Sequence, residues 1–123
     1  MDARTPETAA GRAAARLLAE KSAIAHAVTD TLYAERRYLL ERYGARGRER
    51  TLEDMHYNVE HLIPAVDLGE PAMFATYVRW LDSVLRARNV PTREVVRCLE
   101  LVTSEVRERF PANEADPVAR RSI

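Results

Sequence analysis

The 123-residue chain has little of several residue types: one cysteine, one lysine, one tryptophan and 7% aromatics in all. The single Cys98 excludes an internal disulfide and any metal site built from several cysteines, and it fits a reducing compartment. Nineteen basic and 19 acidic residues give a formal net charge of +0, so no overall field attracts nucleic acid or an anionic membrane. No secretory signal and no apolar run of membrane-spanning length are expected. We therefore expect a cytoplasmic protein without nucleic-acid or membrane partners.

Apolar residues recur at intervals of three and four along almost the whole chain, which is the spacing of helices that pack on one face. Glycine and proline mark short breaks, and short links make neighbouring helices antiparallel. The sequence predicts an all-α fold: a single small helical bundle or globin-like domain of four main helices plus a short N-terminal helix. The expected organisation is an N-terminal helix or extension over 1–20, the bundle over 21–110 and a flexible tail over 111–123.

The breaks give the expected helix bounds. The Gly44–Gly47 segment is expected to stop the first main helix, and Thr51 with Asp54 resembles a capping box that opens the second. Gly69 suits a left-handed helix cap, and Pro71 suits the first turn of the third helix. The main helices are expected over about 21–43, 51–67, 71–88 and 92–110.

The second of these helices carries a candidate metal site. Glu53, His56 and Glu60 are spaced three and four apart on one edge, so their side chains could reach one ion. A di-iron bundle needs Glu-x-x-His on two helices, however, and this chain has it once, from Glu53 to His56. The favoured interpretation is the polar edge of an amphipathic helix. We predict no metal site, with these three residues as the runner-up.

No catalytic constellation is indicated. Cys98 lies beside an apolar helix seam, where a cysteine behaves as a small hydrophobic residue. The sequence has no glycine-rich phosphate loop, no nucleophile elbow and no basic stripe interleaved with aromatics. We therefore do not expect an enzyme.

Residues Arg42–Val102 carry a resemblance. The segments RYG and GRER, the Glu53-Asp54 pair, the run GEPAMFATYVRWL and the VP before the last helix resemble the helical module at the N-terminus of many bacterial cobalamin-binding-domain proteins. In that family a Rossmann-like domain with an Asp-x-His-x-x-Gly motif binds cobalamin. This chain has no such motif, so the resemblance implies a regulatory or sensory module and no cobalamin ligand.

The same stretch is similar, more weakly, to the globin and phycobiliprotein pattern, through Glu53-Asp54 and Gly69-Glu70. No histidine follows His61 to ligate haem in the usual way, and Thr51 stands where a covalent bilin needs cysteine. Non-covalent binding of a tetrapyrrole or other hydrophobic ligand stays open, although a core is the simpler interpretation of an apolar row. Its lining would be Met55, Val59, Ile63, Phe74, Tyr77 and Trp80.

The leading hypothesis is a non-catalytic sensory or regulatory domain that binds a partner protein or forms a homo-oligomer. Trp80 and Tyr57 fall off the main apolar seams and are therefore available for an interface. The alternatives are the hydrophobic-ligand cavity between the second and third main helices and the metal-binding bundle.

Overall fold

Helices make up nearly all of the computed structural model, which describes residues 8–115 and residue 118. Within these residues there is no strand, which confirms the predicted all-α class. The helices are α1 (Ala9–Glu35), α2 (Tyr38–Leu68), α3 (Pro71–Ala87) and α4 (Thr92–Arg109), followed by a short turn of helix over 112–115. In the part of the chain described here, no helix is both long and apolar enough to cross a bilayer.

The four helices form an up-down-up-down bundle. Lys21 Nζ donates to Glu60 and Tyr33 bonds Thr51, so α1 and α2 run antiparallel. On the other side of α1, Arg36 bonds Glu94 near the start of α4. Each helix packs against its neighbours in this ring, and in the described residues the diagonal pairs α1/α3 and α2/α4 bring no Cα atoms within 8 Å of each other.

One continuous core fills the bundle because each helix turns an apolar stripe inward. Its fully buried members include Leu17, Ile24 and Val28 of α1, Val59 and Leu62 of α2 and Val106 of α4, and α3 contributes the buried aromatic residues Phe74 and Tyr77. The core residues are Ala13, Leu17, Ile24, Val28, Met55, Val59, Leu62, Val66, Phe74, Tyr77, Leu81, Val95, Val102 and Val106, among others.

Helix α1 joins the N-terminal segment, expected as a separate helix or as an extension, to the first main helix, and it ends earlier than predicted. It begins at Ala9, where the Thr8 hydroxyl accepts a 2.9 Å hydrogen bond from Gly11 N, and it is unbroken through position 21. Leu17 is fully buried in the same core as the rest of α1. Residues 9–20 therefore belong to the bundle, and α1 ends at Glu35 rather than at Tyr43.

Helix α2 begins before the glycines that were expected to separate two helices. Gly44 has φ 68° and ψ −169°, and the chain bends there and then continues as helix. Gly47 is helical, and a Cβ added to it would lie 2.4 Å from the Cβ of Tyr43. Thr51 is not an N-cap, because it lies inside α2 and its hydroxyl donates to the carbonyl of Gly47. The predicted capping box is therefore wrong.

The turn between α2 and α3 follows the prediction. Gly69 adopts the left-handed conformation with φ 64°, and its N–H bonds the carbonyl of Val66. Glu70 N bonds the carbonyl of Ala65 at 2.9 Å, which completes the helix end. Pro71 is the first residue of α3, where its missing N–H leaves no helical bond unmade.

The residues after α4 differ from the predicted flexible tail over 111–123. Ala115 and Val118 are buried in the core, and Val118 is fully inaccessible. The Glu114 carboxylate accepts a 3.1 Å bond from Arg16 of α1. The rest of the predicted tail, 116–117 and 119–123, lies outside the described residues.

Candidate interaction surface

Most residues of the predicted ligand lining are core residues between α2 and α3. Met55, Val59, Phe74 and Tyr77 are buried, Ile63 is partly buried, and Trp80 is 59% exposed. Two clefts are the best defined in the described residues. One, of about 540 Å³, lies between α1 and the start of α2, and the other lies along α4. Neither contains any of the six lining residues, so the geometry adds no support to the hydrophobic-ligand hypothesis.

The runner-up metal residues have other neighbours. Glu60 accepts a 2.9 Å bond from Lys21, and the His56 ring lies edge-on to the ring of His26 with 6.2 Å between centroids. Glu53 is exposed. Among residues 8–115 and 118, no three histidine, cysteine or carboxylate side chains are close enough together to hold a metal ion. Glu53, His56 and Glu60 therefore do not form the site that their spacing allowed.

A buried polar chain links α3 to α2. Tyr77 Oη donates a 2.6 Å hydrogen bond to Asn58 Oδ1, and Asn58 Nδ2 donates to Met55 Sδ at 3.5 Å. Burial raises the pKa of the Tyr77 hydroxyl, so it remains a protonated donor at physiological pH. The sequence pattern alone does not single out Asn58 as a functional residue. The available signal was its position in the apolar stripe, three residues after Met55 and four before Leu62.

The Tyr77 ring connects the core to the surface. It lies 5.9 Å from the Phe74 ring inside the bundle and 6.1 Å from the exposed ring of Trp80, centroid to centroid. On its other side it stacks on the exposed ring of His61, with centroids 4.0 Å apart and planes 9° from parallel. The hydrogen bond to Asn58 anchors the Tyr77 phenol, and the same ring contacts the rings of both His61 and Trp80.

Trp80 and His61 belong to two neighbouring stripes without acidic, lysine or arginine side chains. The residues of each stripe recur every three or four positions, so each stripe occupies one face of its helix. The large apolar side chains of the two stripes are well exposed: Tyr57 is 55% exposed, Leu68 63%, Met73 42% and Trp80 59%. We name this surface the α2–α3 face: Tyr57, His61, Pro64 and Leu68 from α2, and Met73, Thr76, Trp80, Ser83 and Ala87 from α3. Exposed apolar patches on soluble proteins, when they are contiguous and have a polar rim, mark interaction surfaces.

Comparisons of the chain with protein-family models, curated proteins and solved structures gave no match.

Cys98 has the properties of a packing residue. It is partly buried beside the core, and burial, with a smaller contribution from the Glu94 carboxylate, raises the pKa of its thiol to about 12. A thiol nucleophile needs the opposite, a pKa lowered toward neutrality by nearby cations or a helix N-terminus.

Proposed function

We propose that this chain is a non-catalytic regulatory module that acts by binding protein through its α2–α3 face. The observation that carries the proposal is the exposed Trp80 ring, supported from below by Tyr77. Tryptophan and tyrosine are the residues most enriched at energetically dominant interface positions, because they bury a large apolar area with few rotatable bonds.

The construction of the face favours binding energetically. Neither stripe carries a lysine, arginine or carboxylate, so a partner can cover the stripes without removing such a charge from water. The Tyr77–Asn58 hydrogen bond orders the supporting ring before any partner arrives. Ordering that precedes binding reduces the entropy lost on association.

The regulatory role is supported by the resemblance of Arg42–Val102 to the helical module of cobalamin-binding-domain proteins, which implies sensing rather than catalysis. A single partly buried cysteine fits action in the reducing cytoplasm. The resemblance supplies no ligand, so the proposal depends on the surface and not on a bound cofactor.

Site-specific photo-crosslinking in the native host tests the proposal. A photoreactive phenylalanine analogue at position 80 is expected to form protein adducts, because that position is covered in the bound state. The matched control carries the analogue at Val96, which is 50% exposed on α4, outside the face. Adducts from Val96 alone, or equal yields from both positions, would contradict a binding role for the face.

The hydrophobic-ligand alternative is tested on the same protein. Native mass spectrometry with an absorption spectrum, on chain purified from its own host, is expected to show the mass of the polypeptide without a stoichiometric chromophore. A bound tetrapyrrole that is lost on replacing Phe74 with alanine would overturn the interaction proposal in favour of a ligand sensor.

A further inference from the structure

The α2–α3 face lies between two edges of opposite charge. On the α2 side, exposed acidic residues follow the stripe at spacings of four and seven, and on the α3 side two exposed arginines are seven apart, so each set lies along one helix edge. The acidic edge is Glu49, Glu53, Glu60 and Asp67, and the basic edge is Arg79 and Arg86. Lys21 pairs with Glu60 and Asp82 pairs with Arg86, but each edge keeps its sign.

We propose that the partner of the α2–α3 face is a second copy of this chain, related by a two-fold axis parallel to α2 and α3. This inference rests on the proposed binding role of the face. With that axis, α2 of one copy lies over α3 of the other. The acidic edge of each copy then meets the basic edge of its partner, and the uncharged stripes meet at the centre.

The register follows from the contact between Asn58 and Tyr77, which places these two residues at the same height on antiparallel helices. Glu53, five residues before Asn58, is therefore level with Asp82 of α3, whose carboxylate is paired with Arg86. A two-fold axis along the helices keeps that height, so Glu53 comes within about one helical turn of Arg86 in the second copy. Symmetry produces this pair twice.

Charge also excludes the competing arrangement. A two-fold axis perpendicular to the helices would place α2 over α2 and bring the acidic edge, including Glu53, against its own copy. Like charges facing each other across an interface oppose association. The formal net charge of +0 means that two copies approach without overall repulsion.

Charged residues limit the length of the α2–α3 face at one end. Three residues before Tyr57 in α2, Asp54 interacts electrostatically with Arg88 at the end of α3 and with Arg50. Charges of both signs meet there, so the uncharged contact extends from Tyr57 toward Leu68 rather than toward Gly44.

Sedimentation equilibrium of the full chain over a wide concentration range tests the inference. The wild type is expected to dimerise, and Trp80→Ala is expected to raise the dimer Kd by roughly tenfold or more, because a central aromatic anchor is lost. Leu18→Ala is the matched control, since Leu18 is 63% exposed on α1 outside the face. Its Kd should equal that of the wild type. Circular dichroism confirms that each variant is folded.

A charge exchange tests the orientation of the axis. Arg86→Glu is expected to raise Kd by roughly tenfold, because each new glutamate faces the acidic edge of the other copy with like charge, and symmetry repeats this contact twice. Adding Glu53→Arg to that variant is expected to bring Kd back toward the wild-type value. The proposed packing is overturned if Trp80→Ala leaves the dimer Kd unchanged. It is also overturned if the double variant dimerises as weakly as Arg86→Glu alone.

A strict monomer also overturns the inference, and the crosslinking experiment then separates the two proposals. Adducts from position 80 to a different protein would leave the binding role of the face in place and remove only the second copy as its occupant. A monomer without adducts from position 80 would remove both.

Discussion

The Tyr77 hydroxyl reaches across from α3 to donate a 2.6 Å hydrogen bond to Oδ1 of Asn58 on α2, and both residues are buried. Asn58 is 3% exposed, so water cannot replace a lost partner without opening the core. A single bond therefore joins two helices and also fixes the ring that supports the α2–α3 face.

Replacing Tyr77 with phenylalanine is expected to lower the free energy of unfolding by about 1–3 kcal/mol, because Asn58 Oδ1 is left buried without a donor. Urea unfolding followed by circular dichroism measures the change. The matched control is Tyr57→Phe, where the ring is 55% exposed and the expected change is within about 0.5 kcal/mol. Equal effects of the two substitutions would show that the Tyr77–Asn58 bond does not stabilise the fold.

Gly44 is the second test of stability. Its φ of 68° with ψ of −169° lies in a region open essentially to glycine alone, so Gly44→Ala is expected to lower the free energy of unfolding by about 1–3 kcal/mol. No atom lies within 4 Å of an added Cβ, so the loss would come from backbone conformation and not from a clash. Ser104→Ala, at an exposed site in α4, is the control and should change stability by less than about 0.5 kcal/mol. A neutral Gly44→Ala would mean that the bend is not maintained in solution.

Local signals predicted the parts of the fold that depend on neighbouring residues. Gly69 and Pro71 act within a few positions, so the turn and the start of α3 came out as expected. The end of α1 did not, because Arg36 leaves the helix where its side chain bonds Glu94, a residue 58 positions away. The packing of Val118 likewise depends on a core assembled from distant segments.

The α2–α3 face also combines features that local sequence predicts with features that depend on distant segments. The off-seam positions of Tyr57 and Trp80 predicted side chains outside the core, and their exposures of 55% and 59% confirm this. The role of Asn58 could not be predicted, because a polar residue in an apolar stripe does not identify its partner. The stacking of His61 on Tyr77 also requires the spatial pairing of α2 and α3.

Cys98 provides a test of the absence of thiol chemistry. A thiol pKa of about 12 at this position, against an ordinary value of about 8.5, reduces the thiolate fraction at mildly alkaline pH by roughly three orders of magnitude. Alkylation of the native protein is therefore expected to be far slower than alkylation of the same protein in denaturant, measured by mass spectrometry over time. Comparable rates in the two states would indicate an accessible, activated thiol and would reopen a catalytic role.

The Glu35–Arg97 ion pair makes stability depend on pH in a defined direction. Two guanidinium nitrogens of Arg97 donate to the Glu35 carboxylate, and this bonding lowers the pKa of Glu35 from its ordinary value. Above the ordinary pKa of about 4.3, Glu35 is charged in both the folded and unfolded states, so the full stabilisation is present. As the pH falls through the lowered folded-state pKa, the carboxyl is protonated in both states and the stabilisation disappears.

Glu35→Gln is accordingly expected to destabilise the protein at pH 7 and to approach the wild type as the solution is acidified below the ordinary pKa of about 4.3. Urea unfolding at neutral and acidic pH measures the two differences. The same substitution in an Arg97→Gln background is the control, because removing the guanidinium removes the largest cause of the shift and should flatten the pH dependence. A destabilisation by Glu35→Gln that grows with acidification would have the opposite sign and would exclude this pair as the source of acid sensitivity.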